Sequence, residues 1–294
     1  MELKGTYTAL VTPFKNNKGV DYEALKKLIN LQIDSEVSGI VLFGTTGESP
    51  TLDAYEKHKI LEIAEHLTKD KINLIIGISS NNTEKAINEI KGFSSSSAKA
   101  FLVGTPFYNK PTEKGVITHF TKIANQSYKP IILYNVPSRT GTNISLSAIK
   151  QLCSHPNIVG IKEAGGNFDY ISKLMLMRSS KFAILSGNDN QTLPMMALGA
   201  TGSISVVSNL VPHEFDLICK YASSGRFAAA RTVHELLMPL MNACFEETNP
   251  IPIKYMLSKI GIIKNTLRLP LCSLSSKNKK SINKIMSEYF CIGE

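Results

Sequence analysis

The chain is 294 residues long, 43% hydrophobic and 19% charged, with a formal net charge of +9 at pH 7. That is ample apolar material for one large core, and no apolar run approaches the roughly 20 residues a membrane-spanning helix needs. The positive balance raises a nucleic-acid reading, but the lysines are spread along the chain, often beside glutamates as at Glu84-Lys85, and the one dense cluster, Lys277, Lys279, Lys280 and Lys284, reads as a solvated helix face.

The first residues, Met1 to Gly5, lack the charged-then-apolar layout of a signal peptide, so a cytoplasmic protein is expected. The first strand-like segment covers 6–11. An amphipathic stretch at 22–37 leads to a second strand at 39–43, which ends in Gly44-Thr45-Thr46-Gly47-Glu48. Asp53 is placed to cap a helix over 54–67. Further strands are expected at 73–78, 99–103, 130–135, 158–162, 182–186 and 202–206, with Ser94 to Ser97 as a loop. The spacing of about 20 to 35 residues is that of one βα unit. Eight such units, without a Gly-x-Gly-x-x-Gly after the first strand, predict an α/β fold of the (β/α)8 TIM-barrel type, not a dinucleotide-binding open sheet. From Ser224 onward the pattern is mostly helical, clearest at 228–244 and 277–289, with Pro250 and Pro252 breaking it between. The expected division is a catalytic barrel over 1–223 and a C-terminal helical extension over 224–294.

The five cysteines, Cys153, Cys219, Cys244, Cys272 and Cys291, are scattered and form no C-x-x-C. Free thiols in a reducing compartment fit better than a disulfide scaffold. The six histidines match no zinc spacing. No metal and no external cofactor are expected.

Polar and glycine residues crowd the C-terminal ends of the expected strands, the rim on which barrel enzymes build their sites. Alternation along 158–162 puts Ile158, Gly160 and Lys162 on one face, with Gly160 leaving room for the lysine stem. Burial there disfavours an ammonium, and a free amine attacks a carbonyl carbon to form an imine. A strand-end lysine that snorkels to water satisfies the same spacing equally well. Tyr134 alternates with Ile132 and offers a phenol for proton transfer, or is a core residue with a satisfied hydroxyl. Thr45 and Thr46 suit a hydrogen-bond relay or a simple tight turn. Arg139, in a loop between Pro137 and Gly141, suits a two-point carboxylate clamp or a surface ion pair.

From Thr8-Ala9-Leu10-Val11-Thr12-Pro13 to Leu267-Arg268-Leu269-Pro270 the chain resembles the dihydrodipicolinate synthase family. The most specific segments are Gly44–Glu48 (GTTGE), Tyr134–Gly141 (YNVPSRTG) and Gly160–Ala164 (GIKEA). The wider superfamily of pyruvate lyases, including N-acetylneuraminate lyase, resembles it at the threonines, the tyrosine and the lysine but typically lacks the arginine of S-R-T-G.

This resemblance implies roles. Lys162 would form an imine with pyruvate. Tyr134, Thr45 and Tyr108 would relay protons, Tyr108 reaching in from a neighbouring subunit of a homo-oligomer, expected to be a tetramer built from tight dimers. Thr46 would hold the pyruvate carboxylate, Ile204 would line the pocket through its carbonyl, and Gly187 would belong to the substrate-binding positions. Arg139 would bind the carboxylate of L-aspartate 4-semialdehyde, in a step of lysine and diaminopimelate biosynthesis. A keto-acid sugar lyase and a non-catalytic keto-acid binder are the alternatives. Gly165, where the family usually has Thr or Ser, Asn188, where an acid is frequent, and Phe107, where a tyrosine is frequent, depart from the pattern. In lysine-inhibited members the effector pocket holds an acid. The matching positions here are Ala54, Lys57, Lys85 and Phe107, with Ser49 and Asn81 retained, so weak inhibition by lysine is expected.

Overall fold

The computed structural model describes residues 2–290. Eight parallel strands pair in chain order and close into a barrel: β1 (Gly5–Ala9), β2 (Gly39–Leu42), β3 (Asn73–Ile78), β4 (Ala100–Gly104), β5 (Ile131–Asn135), β6 (Ile158–Glu163), β7 (Ala183–Ser186) and β8 (Gly202–Ser205). The helices are α1 (Tyr22–Asp34), α2 (Ala54–Thr68), α3 (Thr83–Gly92), α4 (Glu113–Gln126), α5 (Pro137–Thr140), α6 (Leu146–Leu152), α7 (Phe168–Leu174), α8 (Thr192–Ala197), α9 (Pro212–Ser223), α10 (Phe227–Ala243), α11 (Ile251–Lys259) and α12 (Ser276–Phe290). The eight expected strands are all present. Asp53 caps α2 in a reciprocal box: its carboxylate accepts from Glu56 N at 2.8 Å while Glu56 accepts from Asp53 N at 3.2 Å.

Helices cover the outside and side chains fill the inside, so the strands are buried on both faces and read as near-continuous apolar runs. Ile40, Ile76, Leu133, Ile161 and Ile184 belong to the layer between strands and helices. Tyr7, Val41, Ile75, Leu102, Ile132, Leu185 and Ile204 fill the barrel. Tyr134 packs on that interior cluster, as its alternation with Ile132 requires.

Two expectations are corrected. Ile131 pairs with Ile158 but Ile132 pairs with Gly160, so β6 carries an irregularity at Val159. Ile158 consequently joins the outer layer and Val159 packs on the interior cluster, the reverse of simple alternation. Regular pairing resumes at Gly160, and the inward face assigned to Lys162 holds. Pro250 and Pro252 do not break a helix; they begin one. Pro250 is the N-cap of α11 and Pro252 lies in its first turn, where a missing N–H leaves no hydrogen bond unmade.

The helix α12, which carries the lysine cluster, buries Ile282 and Met286 and leaves Lys277, Lys280 and Lys284 exposed. Cys153, Cys219, Cys244 and Cys272 are free thiols, and Cys291 lies outside the described residues. No helix among the described residues is long and apolar enough to cross a membrane.

Candidate active site

Lys162 and Tyr134 occupy paired positions on β6 and β5. Lys162 is only 5% exposed, and its Nζ lies over the Tyr134 ring, 4.6 Å from the centroid. The space for the lysine stem comes from Gly187, not from Gly160. A Cβ on Gly187 would stand 3.0 Å from Lys162 Cε and 2.6 Å from Ala164 Cβ. A Cβ on Gly160 would meet the Ala183 carbonyl and Leu3 instead.

Lys162, Tyr134, Thr46, Arg139 and Gly187 line one cavity of about 140 Å³ at the C-terminal end of the barrel, together with Asn188, Val206 and Asn249. Two cationic side chains and no acid line it, which suits a carboxylate-bearing ligand. A second cavity of about 240 Å³ shares Arg139 and Asn249 with the first and is lined by Thr45, Ser49 and Leu271. Thr45 therefore opens beside the lysine cavity rather than into it. Ile204 is fully buried in the interior cluster. Tyr108 is not brought to either cavity: it is 89% exposed, in the loop after β4, with a positive φ of 67°. Among the described residues no hydrogen bond joins Tyr134 to Thr45 or Tyr108.

The threonine turn is held from three sides. Thr12 Oγ1 donates to Gly47 O at 2.7 Å. Glu48, left-handed at φ 51°, accepts from Lys254 Nζ at 2.6 Å and from Arg268 N at 3.1 Å. The Glu48–Lys254 pair is fully enclosed; Lys254 also donates to Thr12 O at 2.9 Å and lies over the Phe14 ring. Burial holds the Lys254 amine down at about 8, against the upward pull of Glu48. Thr46 is buried, and its Oγ1 accepts from Asn249 Nδ2 at 2.9 Å.

Arg139 projects from α5, which Gly141 terminates at φ 66°. It is exposed and pairs with no acid among the described residues. Its Nη2 donates to the Asn249 main-chain carbonyl at 3.0 Å, which leaves the rest of the guanidinium fork available. Behind β5 and β6, Asn135 Nδ2 donates to Glu163 Oε2 and to Asn143 Oδ1, both at 2.7 Å, and Ile144 N donates to Asn135 Oδ1 at 3.0 Å. This network clasps both ends of the segment that carries Arg139. Glu163 also accepts from Gly165 N, and a Cβ at 165 would stand 2.6 Å from Glu163 Oε1. The carboxylate thus occupies the place a Thr or Ser would need. Burial pushes the Glu163 carboxyl up. Asp189 is driven up by burial too, opposed by the N–H groups of Val207 and Val206 and by the Lys162 charge.

Asn249 and Asp189 lie outside the three most specific segments, and Glu163 lies within Gly160–Ala164 without a role of its own. Asn249 stands next to a proline pair and Glu163 next to the lysine, but their partners lie far away in sequence. Lys57, one of the positions matching the effector pocket, pairs with Glu89 at 2.7 Å, both partly buried.

Comparison with known proteins places the chain in a family. The model of the dihydrodipicolinate synthetase family matches residues 2–289. The chain belongs to that family. A 4-hydroxy-tetrahydrodipicolinate synthase of Methanocaldococcus jannaschii is 46% identical over 287 residues, covering 97% of this chain and 98% of the relative. A crystal structure of a dihydrodipicolinate synthase superposes with a TM-score of 0.94 at 45% identity, covering 99% of this chain and 100% of the other. A chloride-inhibited family member from Acinetobacter baumannii, complexed with pyruvate, superposes with a TM-score of 0.96 at 35% identity, covering 99% and 100%.

Proposed function

We propose that the protein is a class I, imine-forming lyase that condenses pyruvate with L-aspartate 4-semialdehyde, the reaction of a 4-hydroxy-tetrahydrodipicolinate synthase. The observation that carries this reading is the enclosed Lys162 amine above the Tyr134 ring, in a cavity that also presents Thr46 and Arg139. In this reading the Lys162 amine attacks C2 of pyruvate and water leaves, giving an imine. Loss of a methyl proton gives an enamine, with the imine nitrogen as electron sink. The enamine carbon attacks the aldehyde, whose oxygen takes up a proton. The amino group of the second substrate then displaces Lys162 as the ring closes, and the free amine returns. Tyr134 serves the proton transfers, Thr46 holds the keto-acid carboxylate, and Arg139 holds the carboxylate of the aldehyde.

The exposed Tyr108 supports a homo-oligomer, proposed to be a cytoplasmic tetramer, in which this residue extends the relay of a neighbouring copy with Thr45. Large exposed aromatics are typical of interfaces. Assay of the condensation beside cleavage of N-acetylneuraminate tests the reading. Condensation with aspartate semialdehyde and no sialate cleavage is the expected result; the opposite pattern would move the protein to the sugar-acid lyases.

A further inference from the structure

Asn249 touches both of the elements to which the carboxylates are assigned. It immediately precedes Pro250, the N-cap of α11, is 5% exposed, and lines both cavities. Its main-chain carbonyl accepts from Arg139 Nη2 at 3.0 Å, and its side-chain Nδ2 donates to Thr46 Oγ1 at 2.9 Å. The first contact is indifferent to the side chain at 249. The second is not.

A hydroxyl has one hydrogen to give and two lone pairs to receive with. With one lone pair of Thr46 taken by the Asn249 N–H, its own hydrogen must point elsewhere, and it donates to no acceptor among the described residues. What the Thr46 side chain faces is the cavity that holds the Lys162 amine. The orientation of the Asn249 amide follows from satisfaction. As it stands, Oδ1 and one of the two N–H groups lack a partner; with the amide turned over, both N–H donors would be orphaned instead, and buried N–H groups without partners are rarer than buried carbonyls without them.

We infer that Asn249 is a positioning residue: by donating to Thr46 it fixes the Thr46 hydroxyl as a hydrogen-bond donor toward the keto-acid carboxylate. The inference rests on the proposed function, in which Thr46 holds that carboxylate, and adds the group that sets the direction of its proton. The polarity of the contact, not its shape, is the functional content. An aspartate at 249 has the shape of asparagine but accepts where asparagine donates. It would capture the Thr46 hydrogen and set a negative charge beside the incoming carboxylate.

The test compares Asn249→Ala with Asn249→Asp, reading the pyruvate KM and the pyruvate concentration for half-maximal borohydride trapping on Lys162. Asn249→Ala should raise both about 3- to 10-fold, the scale of one hydrogen bond, with kcat and the aldehyde KM within about twofold because the Arg139 contact is to main chain. Asn249→Asp, although isosteric, should raise them at least about tenfold further. In a Thr46→Val background, Asn249→Ala should add less than about twofold, since the two act as one unit. An aspartate variant equal to or better than the alanine variant, or losses spread evenly over kcat and both KM values, would overturn the inference while leaving the proposed reaction standing. Wild-type protein that traps no pyruvate would overturn both.

Discussion

Gly187 and Lys162 fit together as groove and stem: a single methyl group at 187 would stand 3.0 Å from Lys162 Cε. The same methyl would press on Ala164 Cβ at 2.6 Å and on the Glu163 carbonyl at 2.9 Å, so it cannot be accommodated by the lysine alone. Gly187→Ala should displace the amine and lower kcat/KM by about 10- to 100-fold, the usual cost of a misplacement near 1 Å. Rates of borohydride trapping should fall in parallel while the circular dichroism spectrum stays that of wild type. Full activity in this variant would mean that the lysine does not need its present path.

Among the described residues Arg139 has a main-chain partner and no carboxylate of its own. Removing it should therefore act on the substrate it clamps. Arg139→Ala is expected to cost about 2–5 kcal/mol in kcat/KM for the aldehyde, the exposed setting favouring the lower end. Pyruvate should still be trapped on Lys162. Loss of trapping would assign Arg139 to holding the fold of the loop instead.

The legible part of this molecule is what local pattern dictates. Strand periodicity located all eight strands, and the strand-end position of Lys162 beside apolar neighbours located its inward face. The reading failed where an interaction crosses the fold. Nothing local reveals that Val159 turns inward, because the irregularity belongs to pairing between β5 and β6. Pro250 and Pro252 looked like breakers because a proline pair looks the same before a helix as inside one. The groove for the lysine stem was assigned to Gly160, its neighbour in sequence, when the neighbour in space is Gly187 on the next strand's loop. Asn249 reaches Thr46 across 203 positions of chain, and only the closed barrel with α11 laid over its rim brings them together.

His119, on α4, is buried with Nδ1 at 2.9 Å from Thr83 Oγ1 and Nε2 without a partner. Burial pushes its imidazole down from 6.5 to about 4. The folded state therefore binds fewer protons than the unfolded chain between these values, and stability falls as pH drops through that window. The loss attributable to this residue is about 2 kcal/mol at pH 5 relative to pH 7. The raised carboxyls of Glu163 and Asp189 act with the opposite sign, losing stability as pH rises, so the contribution has to be isolated by difference. Denaturant unfolding of wild type and His119→Gln at pH 7 and 5 provides it: the variant should lose less on acidification. An equal loss in both would show that His119 does not carry the dependence.

The enclosed Glu48–Lys254 pair ties α11 to the threonine turn. Lys254→Met leaves Glu48 charged with no cation beside it and should destabilise by about 3–5 kcal/mol. Pairing it with Glu48→Gln removes the stranded charge and keeps an acceptor for Arg268 N, so most of the loss should return. Urea midpoints of the single and double variants measure this, and additive losses would show that the two side chains do not act as a pair.

The central claim is that Lys162 forms the covalent intermediate, and chemical trapping with peptide mass spectrometry tests it most directly. Borohydride added with pyruvate should place one reduced pyruvate on the peptide carrying Lys162 and none on the peptide carrying Lys254, and Lys162→Ala should abolish both the label and the condensation. A label on any other lysine, or a fully active protein that takes up none, would contradict the account.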